Sequence, residues 1–285
     1  MRKPIIFASL LVALAMLLQG CGGMAGFQNA TPTPLVSMRP NDDMLMVYVP
    51  AGDFTMGGDS GAALQECQHN ISGCQPDVFK SEEPAHVVTL AAFWIDQTEV
   101  TTGKYAQCVQ GGACQPPADI RSRSWLDYYT NPAHADYPVI NVNWNQASAY
   151  CAWAGARLPT EAEWEKAARG TDGRLYPWGM TFNPDLASYN ETVMDPEPVG
   201  SYPTGASPYG ALDMAGNVSE WVTDWYGQTY YAESPASNPP GPATGTFRVA
   251  RGGSWYDFSS YLRTTSRKPI DPALHNYGLG FRCAR

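Results

Sequence analysis

The second half of this chain has almost no helical periodicity. From residue 172 to the C-terminus, glycines, prolines and aromatic side chains alternate. The whole chain carries 27 glycines and 24 prolines but only 16% charged residues. Many turn-forming residues together with few charges predict a loop-rich fold with little regular helix rather than a helical bundle. Since we find neither a repeat of fixed length nor a second linker, we expect one folded domain over residues 44–285.

Local patterns predict three helices and several short strands. The clearest helix follows Thr160, which forms a capping box with Glu163, and it ends at Gly170. Another helix is expected from the threonines at 98–102, and a third after a cap at Asn145. The other predictions are strands at 46–49, 54–58, 87–90, 93–95, 247–251 and 278–283, an extended segment at 138–144, and a polar surface loop at 59–85.

The N-terminal stretch is typical of a secretion signal rather than of a folded domain. Positive charges precede an apolar run over residues 5–18, which is too short for a mature membrane-spanning helix. The cysteine that follows, Cys21, lies in a sequence similar to a bacterial lipobox. We therefore expect a signal peptide at 1–20, lipidation and membrane anchoring at Cys21, and a flexible tether over 21–43. An ordinary signal peptide cut nearby is the alternative.

Without Cys21, six cysteines remain, an even number that is typical of disulfides in an exported protein. Two pairs are close in sequence, and a third would join the middle of the chain to its C-terminus. The residues alone leave fifteen pairings open. A metal site of cysteines and histidines is the weaker alternative, because there is no Cys-x-x-Cys pair and the four histidines are scattered. The pairing favoured by locality is Cys67–Cys74, Cys108–Cys114 and Cys151–Cys283.

The net charge of -9 argues against nucleic acid as a partner. Binding to nucleic acid needs a basic surface that neutralises phosphates, and the sequence has no basic stripe. An acidic surface is also the ordinary consequence of solubility, so the charge alone indicates no cationic partner.

Six ordered motifs resemble the formylglycine-generating-enzyme family, also called sulfatase-modifying factors. They begin with Val-Pro-Ala-Gly-Asp-Phe-Thr-Met-Gly at 49–57 and end with Gly-Phe-Arg-Cys at 280–283, so they cover nearly the whole mature chain. The resemblance implies an irregular α+β fold, a variant of the C-type-lectin type. The motifs between them are the helix at 157–170, Tyr-Pro-Trp-Gly at 176–179, the segment at 210–225 and Arg-Gly-Gly-Ser-Trp at 251–255.

In the oxidases of this family, two cysteines placed five residues apart after Arg-Gly-Gly-Ser hold copper. The matching positions here are Asp257 and Leu262. Cuprous ion needs soft thiolate ligands, and neither a carboxylate nor an isobutyl group replaces them. The resemblance also places Cys283 in a disulfide with Cys151. We therefore expect no copper and no catalytic residue of the oxidase kind. The iron site of the sulfoxide synthases in this family is built largely by another domain.

The resemblance also implies a structural calcium site. Two carboxylates, Asp213 and Glu220, and two backbone carbonyls, those of Gly216 and Val218, match one calcium site of the family. Calcium prefers six to eight oxygen ligands. The simpler alternative is that Asp213 caps a turn and Glu220 lies in a solvated loop. A second site would use Asn190, Glu191 and Asp195, in a loop that is shorter here than in the oxidases.

A ligand cleft is expected where the family has its catalytic centre. Aromatic side chains in polar loops, such as Tyr226, Tyr230 and Tyr231, also have the chemistry to stack on sugars or peptides, although loop aromatics often cover the core. The residues predicted to line the cleft are Ser254, Trp255, Tyr256, Asp257 and Arg263.

The sequence supports three functional hypotheses from different classes. The first is an extracytoplasmic lipoprotein of the bacterial cell envelope, whose calcium-stiffened domain binds a peptide, glycan or protein. The second is an oxidoreductase that modifies an exported protein through a different metal or mechanism. The third is a cell-surface scaffold without a ligand. Family membership alone does not decide among them.

Overall fold

A computed structural model of the chain describes residues 34–70, 74–190 and 192–285. The predicted signal peptide, the lipidation site at Cys21 and the tether up to residue 33 lie outside the described residues. No helix in the described part combines the length and the apolar character needed to span a bilayer. The α-helices are α1 (Ser60–Asn70), α2 (Thr102–Gln110), α3 (Trp144–Trp153) and α4 (Glu161–Arg169). The strands are β1 (Val36–Arg39), β2 (Met44–Val49), β3 (Gly52–Met56), β4 (His86–Leu90), β5 (Phe93–Asp96), β6 (Ser219–Trp225), β7 (Arg248–Arg251), β8 (Lys268–Ile270) and β9 (Leu279–Phe281).

The strands form three small sheets. In the N-terminal half, β1, β2 and β5 pair antiparallel in that order, and β3 pairs antiparallel with β4. The third sheet has the order β8-β7-β6-β9, in which β6 and β9 are parallel. The register of β7 with β8 places Ala250 opposite Lys268, and this pairing fixes where the segment after β7 lies. Short strands between long loops agree with the composition.

Helix α4 begins and ends as the sequence predicts. The Thr160 side chain accepts a hydrogen bond from the Glu163 backbone at 3.2 Å, and the Glu163 carboxylate accepts one from the Thr160 backbone at 2.8 Å. This reciprocal pair satisfies two of the unpaired amide groups at the start of the helix. Gly170, with φ of 68°, ends the helix in a conformation that favours glycine.

Two predictions of helix position are wrong in detail. Helix α3 is capped by Asn143, whose side chain accepts from the Gln146 backbone at 3.0 Å while the Gln146 side chain accepts in return. Asn145 therefore lies inside the helix. The segment predicted as a loop at 59–85 contains α1, which buries Ala63 and Cys67 against Phe79. Tertiary packing, not helix propensity, stabilises this short helix.

The folded region also begins earlier than residue 44. Strand β1 lies within the predicted tether and pairs with β2 over four residues. Its last residue, Arg39, is buried and makes ion pairs with Asp42 and Asp96, both at 2.6 Å. A buried guanidinium with two carboxylate partners fixes this strand to the body of the fold.

The structure confirms the three favoured disulfides, Cys67–Cys74, Cys108–Cys114 and Cys151–Cys283. The third joins α3 to the segment just after β9, across 132 residues of sequence. Disulfides persist in oxidising compartments, so three of them indicate an extracytoplasmic protein.

Candidate functional site

A glycine turn at residues 252–257 follows β7 and forms the centre of the predicted cleft. Gly252 and Gly253 have φ values of 88° and 70°, which L side chains rarely adopt. A Cβ atom on Gly253 would also lie 2.8 Å from a methyl group of Leu262. Both glycines are therefore required for the chain to reverse here, and the reversal places Ser254 and Asp257 side by side.

Asp257 closes this turn with its side chain. One carboxylate oxygen accepts hydrogen bonds from the Ser254 backbone at 2.8 Å and from the Ser254 hydroxyl at 2.6 Å. The same oxygen pairs with the ammonium group of Lys268. The backbone carbonyl of Asp257 accepts from the Asn190 amide at 2.8 Å. Asp257, at the position of the first copper cysteine of the oxidases, therefore stabilises the turn with its carboxylate. That carboxylate is neutralised by a lysine.

Leu262, at the position of the second copper cysteine of the oxidases, has an apolar side chain. It is fully buried in a cluster with Tyr176, Ala187 and Ala215. All six cysteines in the described part of the chain are in disulfides, so none of them offers a thiolate to this region. A buried isobutyl group and an ion-paired carboxylate form no soft-metal site.

A small cavity of about 110 Å³ lies beside the glycine turn. Tyr256 and Lys268 line it, and the Tyr256 hydroxyl donates to the Asn276 side chain at 2.9 Å. Burial, followed by the charge of Asp257, raises the pKa of the Tyr256 hydroxyl to about 12. The hydroxyl therefore stays protonated near neutral pH and keeps its hydrogen bond to Asn276. The remaining lining residues are Ser219, Ile270, Leu274, Gly278 and Leu279.

The structure brings together only part of the predicted cleft. Ser254 and Trp255 are fully buried and do not line the cavity, whereas Tyr256 does. Arg263 was predicted to line the cleft, and this prediction is wrong. Its guanidinium is buried and makes a bidentate ion pair with Glu82, at 2.6 and 2.7 Å. Burying a charge is costly unless it is paired, and the two hydrogen bonds to Glu82 offset that cost.

Lys268 is a site residue that the sequence reasoning missed. It reaches Asp257 because β8 pairs with β7, a tertiary contact that the sequence does not reveal. One signal was present, since Lys268 is the only lysine after Lys166. Lysine is rare in the C-terminal region and therefore stands out there as a candidate for a specific role.

The residues of the predicted calcium site fit a cation only in part. Asp213 is buried with φ of 56°, and one of its oxygens accepts from the Gly200 amide at 2.6 Å. Glu220, by contrast, is fully engaged, because both its oxygens accept from Arg282 at 2.7 Å and one also accepts from the Trp164 indole. In the described part of the chain, no three acidic, histidine or cysteine side chains form a metal-ligand group.

A further carboxylate, Glu99, lies close to this cluster and was not singled out from the sequence. It is fully buried, and neither of its side-chain oxygens has a hydrogen-bond partner in the described structure. Burial, followed by the negative charge of Asp213, raises the pKa of the Glu99 carboxyl well above its usual range. Burial also raises the pKa of Asp213. The raised pKa values therefore favour the protonated, neutral forms of these two carboxyl groups.

The second predicted calcium site has a different arrangement. Both oxygens of Asp195 accept backbone amides, those of Arg123 at 2.9 Å and Ser124 at 2.8 Å. Asn190 adopts a φ of 50° and Glu191 lies outside the described residues. The Asp195 carboxylate thus holds the loop at 122–125 in place, and this role accounts for its burial without a metal.

The predicted aromatic loop before β7 lines a larger groove, which shares no lining residue with the cavity beside the glycine turn. Its volume is about 580 Å³, and it is open to solvent. Tyr226 and Tyr230 line it, but Tyr231 is buried beneath. The other lining residues are Gly227, Thr229, Glu233, Pro235, Pro240, Gly241, Pro242, Ala243 and Thr244.

Comparison with known proteins places the matching region over nearly all of the described chain. The family model described as a sulfatase-modifying factor enzyme 1-like domain matches residues 33–285. A formylglycine-generating enzyme of Streptomyces coelicolor is 34% identical over 90% of this chain and 93% of its own length. A serine/threonine-protein kinase, pkn1, of Chlamydia caviae is 35% identical over 84% of this chain, but the chain spans only 38% of that kinase.

Solved structures support the same assignment of the fold. The structure of PvdO from Pseudomonas aeruginosa matches with a TM-score of 0.70 and 28% sequence identity, over 90% of this chain and 99% of PvdO. Agreement over almost the whole of both chains means that the small sheets and long loops described above form one shared architecture.

Proposed function

Because the chain belongs to the sulfatase-modifying factor family, which includes formylglycine-generating enzymes, we propose that it is a binding or accessory member without copper oxidase activity. Its α+β fold is the C-type-lectin-like variant that the sequence predicts. In this proposal an extracytoplasmic lipoprotein presents a calcium-stabilised domain that binds a peptide, glycan or protein at the cavity beside the glycine turn.

The observation that carries the proposal is the pair of side chains that replace the two copper cysteines of the oxidases. Asp257 is ion-paired with Lys268, and Leu262 is buried in an apolar cluster. Each side chain has a structural role that would be lost if it moved to meet a metal. Tyr256, Lys268 and Asn276 leave a small polar cavity suited to hydrogen bonding with a ligand group.

Backbone hydrogen bonds link the predicted calcium loop to the glycine turn beside this cavity. In the loop that would hold the ion, the Gly216 amide donates to the Gly252 carbonyl at 3.0 Å. The Asn217 carbonyl accepts from the Trp255 amide at 2.9 Å. A cation that orders residues 213–218 would therefore also order the glycine turn, which supports a stabilising role rather than a catalytic one.

The absence of copper oxidation is tested with the purified chain, Cu(I), oxygen and a cysteine-containing peptide. We expect no stoichiometric copper on the chain, and no oxygen uptake or peptide mass change beyond that of the same mixture without the chain. A double variant, Asp257→Cys with Leu262→Cys, is the matched positive control, because it restores thiolates at both positions and should gain Cu(I). Conversion of the peptide thiol to an aldehyde by the wild-type chain would contradict the proposal.

Ligand capture is tested on a glycan array and a random peptide library. For any probe retained by the wild-type chain, Tyr256→Ala and Lys268→Ala are expected to weaken binding about tenfold or more, as expected for loss of a buried hydrogen bond. Tyr230→Ala, in the separate groove, is the matched control and should retain binding. If only Tyr230→Ala loses the probe, the cavity beside the glycine turn is not the binding site.

The second candidate is an oxidoreductase that acts on an exported protein through a different metal. It is favoured by the 34% identity to a formylglycine-generating enzyme over nearly the whole chain. Repeating the peptide assay with iron in place of copper separates the two candidates. Oxygen uptake above that of iron and peptide without the chain supports the oxidoreductase, and no such increase supports the binding module.

Lipid anchoring is tested with Cys21→Ser in the full-length precursor. Acyl chains add about 0.8 kcal/mol of membrane affinity per buried methylene, so a multiply acylated Cys21 anchors stably. We expect the wild-type protein to incorporate labelled palmitate and to remain with membranes, and the variant to do neither. Equal membrane retention of both proteins would show that Cys21 is not the anchor.

A further inference from the structure

The cavity beside the glycine turn contains a buried hydroxyl group without a hydrogen-bond partner. Ser219, the first residue of β6, is only 3% exposed and lines the cavity. Its backbone amide donates to the Gly278 carbonyl at 2.9 Å, whereas its side-chain hydroxyl bonds to no residue that the structure describes. Buried hydroxyl groups normally have a partner, because an unsatisfied one costs free energy. The hydroxyl is therefore free to bind a ligand.

Two further donors line the same cavity. The side-chain oxygen of Asn276 accepts from the Tyr256 hydroxyl at 2.9 Å and from the Gly278 amide at 2.7 Å. Its amide nitrogen, by contrast, donates to nothing in the described part of the chain. The ammonium group of Lys268 has three N–H donors, and its one described hydrogen bond goes to Asp257. The polar groups left over are thus mainly donors, which an oxygen of a ligand would satisfy.

The cavity carries no excess positive charge. The ammonium group of Lys268 is already paired with the carboxylate of Asp257. A ligand carboxylate would bring a second negative charge close to Asp257, and like charges in a partly buried site repel each other. A neutral carbonyl oxygen accepts hydrogen bonds from the same donors without that repulsion. The charge balance therefore favours a neutral acyl group over a carboxylate.

The size and the apolar wall of the cavity fit a small acyl group. Ile270, Leu274 and Leu279 line the wall, and they offer apolar contacts to a methyl group. The volume is about 110 Å³. Since a cavity of about 150 Å³ holds benzene, roughly four heavy atoms fit here. An acetamido group has this size, and its N–H has an acceptor in the hydroxyl oxygen of Ser219 or Tyr256.

An exposed aromatic ring lies beside the cavity. Tyr277 stands in the sequence between two lining residues, Asn276 and Gly278, and it is 42% exposed. The centroid of its ring lies 5.9 Å from that of Tyr256. A tyrosine ring offers an apolar face to a ligand while its hydroxyl stays in water. A sugar ring stacked on this face would therefore hold a substituent close to the cavity.

We propose that this cavity binds the acetamido group of an N-acetylated amino sugar, with Ser219, Lys268 and Asn276 as the hydrogen-bonding residues. The inference rests on the proposed function, which places the ligand here, and it narrows the ligand to one chemical class. The acyl oxygen accepts hydrogen bonds from these residues, and the methyl group packs on the apolar wall. The sugar ring lies against Tyr277.

Titration of the purified chain with N-acetylglucosamine, followed by calorimetry and saturation-transfer NMR, tests the assignment. We expect binding with the strongest saturation at the acetyl methyl group. Glucosamine and glucose lack the acetamido group and should not bind. Sodium acetate and N-acetylalanine methylamide are the competing probes. Binding of acetate without the sugar would show a carboxylate site, and binding of the peptide probe without the sugar would show a peptide site. Either result would overturn the proposal.

Ser219→Ala separates contact with the ligand from a structural role. Because the hydroxyl has no partner in the described structure, the variant should melt at the wild-type temperature, while its affinity for N-acetylglucosamine falls about tenfold. Ser260→Ala is the matched control, since its hydroxyl is also buried without a described partner but does not line the cavity. It should bind as the wild type does. Equal affinities of Ser219→Ala and the wild type would refute the assignment.

The outcomes also separate this inference from the proposed function. If Lys268→Ala weakens binding of another probe from the glycan array or the peptide library, and N-acetylglucosamine does not bind, only this inference fails. If Lys268→Ala weakens binding of no probe, the cavity is not a binding site, and the proposed function fails as well.

Discussion

Asp224 shows how one buried side chain can make the stability of the domain depend on pH. Burial, followed by the negative charge of Glu161, raises the pKa of the Asp224 carboxyl to about 8 from its usual 3.8. The folded state therefore holds a proton that the unfolded chain releases. The resulting stabilisation is complete below about pH 4 and is lost as the pH rises through about 8.

Replacement of Asp224 by asparagine should remove this dependence. The introduced amide would mimic the protonated carboxyl and keep an oxygen for the Glu161 amide, which Asp224 now binds at 2.7 Å. We expect Asp224→Asn to melt like the wild type near pH 3 and at an increasingly higher temperature than the wild type up to about pH 8, measured by scanning calorimetry. The exposed Asp185→Asn is the control. A constant difference between Asp224→Asn and wild type across this range would refute the argument.

The site was predictable where a residue acts through its own chemistry. The family resemblance singled out Asp257 and Leu262, and the structure places Asp257 in an ion pair and Leu262 in an apolar cluster. It did not identify Lys268 or Glu99. Their importance comes from partners that are present or absent in three dimensions, and strand register and burial determine those partners.

Among the elements, α4 joins a local cap to buried ion pairs in the core. It follows a capping box, and its Glu161 and Glu165 make buried ion pairs with Arg267 and Arg251, at 2.6 and 2.7 Å. Removing one partner of such a pair costs about 3–5 kcal/mol. The position of these pairs depends on where the helix begins, so the cap also fixes the electrostatic network.

Loss of the α4 cap should therefore have a measurable effect. Thr160→Ala removes the acceptor for the Glu163 amide and should lower the free energy of unfolding by about 1 kcal/mol. Thr160→Ser keeps the hydroxyl and should lose much less. Urea unfolding followed by tryptophan fluorescence measures both. If the two variants are equally destabilised, the hydroxyl is not the source of the stabilisation.

Elements were predictable where the signal is local and not where it is tertiary. The capping box of α4 is visible in four residues, and the structure confirms it. Helix α1 was missed because its residues are polar and its stability comes from contacts with Phe79 and from a disulfide. Strand β1 was missed because the sequence around it resembles a linker, and only its pairing with β2 makes it a strand.

At the scale of the whole molecule, the disulfides differ in how much chain they constrain. Cys151–Cys283 closes a loop across 132 residues and is fully buried between α3 and the end of the chain. Cys67–Cys74 spans only 7 residues next to α1. In a chain-entropy account, the long loop stabilises the fold by about 5 kcal/mol and the short loop by about 2 kcal/mol.

Paired alanine variants test this difference. We expect the variant with both Cys151→Ala and Cys283→Ala to lose more than twice as much free energy of unfolding as the variant with both Cys67→Ala and Cys74→Ala. The reason is that the first releases a constraint between the middle of the chain and its C-terminus, whereas the second frees only a local segment. Urea denaturation under non-reducing conditions measures both. Equal losses would mean that local packing, rather than loop closure, sets the contribution of these bonds.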